Sequence, residues 1–130
     1  MTSPIAIDRS SGKAALEQIV EQGRNRLAKG FWIVIFPEGT RIPPGKRGKY
    51  KIGGAWLATH TNTPVVLVAH NAGELWGRNS FIKRPGTITV SISPPIDPAG
   101  MEPGELNEKV ESWIENEMNR ISQSKTQTVA

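Results

Sequence analysis

The stretch FWIVIFPEGTRIPPGKRGKYKIGG, Phe31 to Gly54, changes character in one step. Phe31 to Phe36 are consecutive apolar residues, Pro37-Glu38-Gly39-Thr40-Arg41 make a corner, and Lys46, Arg47, Lys49 and Lys51 follow with no acid among them. A run that is apolar on both faces suits a strand covered on each side. The end of such a strand is where ligands gather in an open α/β sheet, because loops converge there without disturbing the packed interior. The corner carries the chemistry of a phosphate site. Arg41 offers a planar fork of donors that matches phosphate oxygens, Gly39 lets backbone approach a ligand closely, and Thr40 adds a hydroxyl. Glu38 repels phosphate, so its place there is to orient Arg41 or to accept a hydrogen bond from a neutral hydroxyl on the same ligand. The expected ligand is a phosphorylated polyol. The basic run beyond it supplies a diffuse field rather than defined geometry.

Upstream, Ile5 to Ile7 reads as a short strand, and Ser10-Ser11-Gly12 offers a helix cap, since serine oxygens satisfy free amides of a first turn. Leu16, Ile19, Val20, Gly23 and Leu27 then recur on one helical stripe, and Gly30 marks the stop. With Phe31 to Phe36 next, the order predicts a βαβ unit. Downstream, Ile52 to Thr61 reads as a short helix and Val65 to Ala69 as a second buried strand. From Thr87 to Ser93 the pattern alternates strictly, Ile88, Val90 and Ile92 against Thr87, Thr89, Ser91 and Ser93, which predicts a peripheral strand with one face in water. After Pro94-Pro95 and Pro98-Gly100, a closing helix carries Leu106, Val110, Trp113, Ile114, Met118 and Ile121 on one stripe. Ser122 to Ala130 is polar and expected to fray.

The chain has 130 residues, which fits one domain that buries roughly two-thirds of the surface an unfolded chain exposes. It has no cysteine, which removes disulfides, thiolate nucleophiles and thiolate metal sites. The net charge of +4 favours anionic partners without choosing among them. Nucleic acid is not expected, because neither an aromatic stacking platform nor a recognition helix accompanies the charge. The longest apolar run ends at Pro37, far short of the ~20 residues that cross a bilayer, so no transmembrane segment is predicted. Met1 to Arg9 lacks the layout of a signal peptide.

FPEGTR after an apolar strand resembles the signature of the 1-acyl-sn-glycerol-3-phosphate (lysophosphatidate) acyltransferases. IAIDR, Ile5 to Arg9, resembles the block that precedes it in that family, and TPVVLVAHNAGELW with KRPGTITVSISPPIDP is similar to the later block and its following strand. The resemblance reaches from the start of the chain to about Asp97. It implies an α/β fold, a glycerol-phosphate acyltransferase-like αβα sheet with flanking helices, truncated at its N-terminus. Residues 1–121 would then be the C-terminal portion of the acyltransferase domain and 122–130 a polar tail. Carried over residue by residue, it implies that Glu38, Gly39, Thr40 and Arg41 bind the glycerol-phosphate acceptor and that Arg9 adds a second phosphate contact. It also implies that Pro64 and the Val65 to Ala69 strand help to shape the acyl or acceptor site. The implied partners are lysophosphatidate, acyl-CoA or acyl-carrier protein, and an anionic membrane touched peripherally from the cytoplasmic side. No metal or cofactor is implied.

One departure bears on mechanism. Members of this family use His-x-x-x-x-Asp, in which histidine takes the proton of the acceptor hydroxyl and aspartate holds the imidazole. Here His60 has Val65 five residues on and His70 has Leu75, so the pair is missing and no catalytic residue is assigned. The chain is expected to hold the acceptor-binding part of a longer domain; the alternative is a non-catalytic remnant that binds phospholipid headgroups or protein. His70, at a strand end, is the one substitute base on offer. Without the missing segment, the sheet face of Ile33, Ile35, Val66 and Val68 is expected to be uncovered. Leu75, Trp76, Phe81 and Ile82, interleaved with Arg78, Lys83 and Arg84, read either as a membrane-contacting edge or as a cap on the core.

Overall fold

The computed structural model describes residues 12–38, 49–72 and 86–127, with the side chains beyond residue 121 left aside. The order of elements is α1 (Lys13–Ala28), α2 (Gly53–Thr61), β1 (Val68–His70), β2 (Val90–Ile92) and α3 (Pro103–Gln127). Helix α2 lies between α1 and α3, and α3 also covers β1.

Helix α1 follows its stripe but not its expected cap. Ser10 and Ser11 lie outside the described residues, and the cap falls on Gly12, at φ 53, whose carbonyl accepts from Ala15 and Leu16 with no side-chain bond. At the other end the expected stop is found: Gly30, at φ 82, adopts a left-handed backbone in which glycine is unstrained. The helix crosses α2 at Gly23, where an added Cβ would come within 2.5 Å of the Leu57 side chain. This glycine serves close approach rather than a turn. Helix α2 begins one residue later than expected, after Ile52, and ends on Asn62 in the left-handed region at φ 52.

Phe31 to Phe36 departs from expectation. Among the described residues it forms no strand and is not part of the sheet, and Trp32, Val34 and Phe36 are 91%, 78% and 74% exposed. Its other side rests on α2, with Ile35 3.3 Å from where a Cβ on Gly54 would stand. Six apolar residues record a preference for cover on both faces, but they do not supply the neighbouring backbone that makes a strand. The expected neighbour, Ile5 to Ile7, lies outside the described residues, so the βαβ unit is not seen among them.

The sheet that is present is a two-stranded antiparallel pair, with Val68 opposite Ile92, Ala69 opposite Ser91 and His70 opposite Val90. Ser93 N–H bonds to Leu67 C=O at 2.9 Å, and Val65 and Ile96 exchange bonds of 2.9 and 2.8 Å. Between those two pairs the Pro94-Pro95 side carries one residue more than its partner, a bulge placed where proline has no N–H to give. Among the described residues only one face of the sheet is covered. Leu67 and Ala69 are buried beneath α3, whereas Val66 and Val68 are about half exposed, so the expectation of a strand buried on both faces is corrected.

The alternation in β2 also resolves in an unexpected sense. Ile88, Val90 and Ile92 face outward, and the serines face α3. Ser93 is buried; its Oγ accepts from Leu67 N–H at 2.9 Å and donates to Pro94 C=O at 2.9 Å. Ser91 Oγ donates to Glu117 at 2.6 Å. Helix α3 buries the stripe read from the sequence, with Leu106 and Ile121 almost wholly enclosed, and runs on to Gln127 into the segment expected to fray. Tyr50, Ala55, Ala58, Leu67, Leu106 and Val110 form the core, with Trp113 and Ile114 packed against it.

Candidate functional site

Of the residues the sequence singles out, Glu38 lies among those described, half-buried at the end of the Phe31 to Phe36 run. Arg9, Gly39, Thr40 and Arg41 lie outside the described residues, as do Lys46 and Arg47 and the segment from Leu75 to Arg84. What can be built is the frame that holds Glu38.

The frame starts with a backbone bond. Lys51 N–H donates to Pro37 C=O at 2.7 Å, joining the chain just before Glu38 to the chain just after Tyr50. Lys49 and Lys51 are exposed and Tyr50 between them is buried, as alternation along an extended segment requires. Tyr50 carries its ring into the core at 6% exposure, and its hydroxyl donates to Glu115 Oε1 of α3 at 3.0 Å. Burial pushes the phenol well above the usual tyrosine range. The hydrogen bond to Glu115 adds to this, as do the negative charges of Glu115, Glu38 and Glu111. The phenol thus bonds to Glu115 and feels the charges of Glu38 and Glu111, and two exposed lysines flank it on the same segment.

Sequence reasoning missed Tyr50, Glu111 and Glu115. The available signals were a lone tyrosine inside a basic run, and two glutamates four residues apart beside an apolar helical stripe.

The histidines have local duties. His60 is exposed, stacks on Trp56 with ring centroids 4.4 Å apart, and bonds through Nδ1 to Trp56 C=O at 2.8 Å. His70 stands at the end of β1, where its Nδ1 accepts from Ala72 N–H at 3.2 Å. An accepting Nδ1 corresponds to the neutral tautomer that carries its proton on Nε2. Among the described residues no cluster of three His, Asp or Glu side chains could hold a metal ion.

Comparison with known proteins gives one consistent picture. A family model described as Acyltransferase matches residues 1–71, a span that includes Arg9 and Glu38 to Arg41. The chain is 47% identical over 125 residues to a 1-acyl-sn-glycerol-3-phosphate acyltransferase of Pseudomonas aeruginosa, covering 94% of this chain and 49% of that protein. It is 38% identical over 106 residues to the enzyme of the same name from Cocos nucifera, covering 81% of this chain and 34% of that one. The crystal structure of the 1-acyl-sn-glycerophosphate acyltransferase PlsC from Thermotoga maritima superimposes with a TM-score of 0.70 at 29% identity, over 83% of this chain and 44% of that one. The fold is therefore mixed α/β, of the kind seen in PlsC. The chain spans about half the length of the Pseudomonas relative it matches, and less of the plant one.

Proposed function

The chain belongs to the acyltransferase family, and on that premise we propose that it carries the acceptor site of a 1-acylglycerol-3-phosphate acyltransferase of phospholipid synthesis. Arg41, Thr40 and Gly39 bind the phosphate, Arg9 adds a second contact, and Glu38 accepts a hydrogen bond from the free glycerol hydroxyl. The observation that carries this reading is the Glu38 corner, tied at its base by Pro37 and Lys51, flanked by exposed Lys49 and Lys51 and lying within the span that matches the family.

In the reaction, the acceptor hydroxyl oxygen attacks the carbonyl carbon of an acyl thioester, the new C–O ester forms, and the C–S bond breaks to release the thiol. The hydroxyl proton must go to a base and from there to the leaving sulfur. This sequence contains no His-x-x-x-x-Asp, and Nδ1 of His70 is engaged by Ala72 N–H. In the family it resembles, the base is the histidine of His-x-x-x-x-Asp, and no residue of this sequence is assigned that role. The donor is acyl-CoA or acyl-carrier protein, and the work is done in peripheral contact with an anionic membrane at its cytoplasmic face; no helix among the described residues is long and apolar enough to cross one. The second reading, a headgroup-binding remnant without catalysis, is favoured by the same missing pair.

Turnover separates the two. The 130-residue chain alone should acylate lysophosphatidate at least ~100-fold more slowly than the same chain fused in frame behind a relative's His-x-x-x-x-Asp segment, since loss of a general base alone costs about 10²- to 10⁴-fold. A fusion as inactive as the chain alone would favour the remnant. Rapid turnover by the chain alone, abolished by His70→Ala, would overturn the assignment of the base.

A further inference from the structure

We propose that Tyr50 is a positioning residue for Glu38, anchored by Glu115 so that the Glu38 carboxylate meets the acceptor's free hydroxyl; the inference rests on the acceptor-binding reading above.

The observation is a continuous mechanical path. Helix α3, which packs on the core through Leu106, Val110 and Ile121, holds Glu115, and Glu115 Oε1 accepts the Tyr50 hydroxyl at 3.0 Å across 65 residues of sequence. The Tyr50 ring is 6% exposed among Ala55, Ala58, Leu67, Leu106 and Val110, so it cannot shift without disturbing the core. The next residue, Lys51, donates its N–H to Pro37 C=O at 2.7 Å, and Glu38 follows Pro37. Each link is short and three of them are backbone, so little freedom remains between α3 and Glu38.

Packing alone does not require the hydroxyl, because a phenylalanine would fill the same space. The hydroxyl bond to Glu115 fixes where the ring sits, and through it the position of the corner. Burial, reinforced by the Glu115 hydrogen bond and the neighbouring carboxylates, keeps the phenol protonated, so that it remains a donor to Glu115. Two ligand groups are read at the corner, and they differ in what they tolerate. A phosphate offers several oxygens to a long arginine and absorbs a small displacement. A single hydroxyl facing a short, half-buried carboxylate does not. Loosening the anchor should therefore cost recognition of the hydroxyl and spare recognition of the phosphate.

The experiment is calorimetric titration of the full 130-residue chain with short-chain lysophosphatidate and with its analogue lacking the free hydroxyl. The unaltered chain should prefer lysophosphatidate about 10-fold, the size of one hydrogen bond to a charged group, and Glu38→Gln should reduce that preference. Tyr50→Phe should cut it to about 2-fold while leaving affinity for the analogue unchanged. Glu115→Leu should do the same, Glu115→Gln should retain the preference because an amide oxygen still accepts, and Tyr50→Phe with Glu115→Leu should lose no more than either alone. General loosening of the fold would instead lower both affinities together. A full preference in Tyr50→Phe, beside a reduced one in Glu38→Gln, would overturn the positioning role and leave the acceptor reading standing. No preference in the unaltered chain would overturn the reading of Glu38 itself, and the inference with it.

Discussion

Tyr50 sits where burial and charge act on its phenol in the same direction. Both favour the neutral form, so its folded value lies above the ordinary tyrosine value of about 10. A group raised in this way contributes stability that is fully present below its unfolded value and is lost as pH rises through the folded one. Unfolding by urea at a series of pH values should therefore show the parent losing stability above pH ~10, by at most about 1.4 kcal/mol per pH unit, with Tyr50→Phe lacking that component of the slope. Identical alkaline limbs would mean that the phenol is not held as described. At this scale the sequence singled out Glu38 by its place in a basic corner, and the structure describes it half-buried at the end of the Phe31 to Phe36 run. The sequence was silent on Tyr50, because an aromatic between two lysines looks the same whether it turns inward or outward, and its partner lies on a helix 65 residues away.

The elements were legible in proportion to how much of their pattern is set locally. Helices α1 and α3 follow from apolar spacing with a period near 3.6, α2 from the consecutive Ala55, Trp56, Leu57 and Ala58, and the left-handed Gly30 stop from residue type. Strands depend on neighbours, and there the pattern misled. Phe31 to Phe36 is the most apolar run in the chain, yet much of it is exposed, and β2 turns its isoleucines outward and its serines toward α3. Ser91 and Ser93 work there because α3 brings Glu117 to one and the backbone of Leu67 and Pro94 meets the other. The usual hydrophobic ranking should therefore invert at adjacent positions. Ser93→Ala leaves the buried Leu67 N–H short of a partner and should cost about 1–3 kcal/mol, while Ile92→Ser, at 66% exposure, should cost less than about 0.5 kcal/mol. Chemical denaturation of the two variants measures both, and the reverse order would show that the outer face of β2 is covered in solution.

Across the whole molecule, Trp32, Val34, Phe36, Val66, Val68, Ile88, Val90 and Ile92 are all at least 43% exposed, an unusual amount of large apolar surface for a chain of this size. The expectation that Val66 and Val68 would be uncovered is met, and Ile35 is 42% exposed, whereas Ile33 is half-buried against the rest. The chain spans about half the length of the Pseudomonas relative, and the contribution proposed for it is the acceptor corner. The most direct test of that contribution is the affinity of the 130-residue chain for lysophosphatidate, measured by titration calorimetry against its phosphate-free monoacylglycerol counterpart. The account predicts that lysophosphatidate binds and monoacylglycerol does not. It also predicts that Arg41→Ala weakens lysophosphatidate binding at least ~10-fold and that Arg41→Lys restores it only in part, because a single ammonium cannot reproduce a bidentate fork. Equal affinity for the two lipids, or an Arg41→Ala chain that binds lysophosphatidate as tightly as its parent, would contradict it.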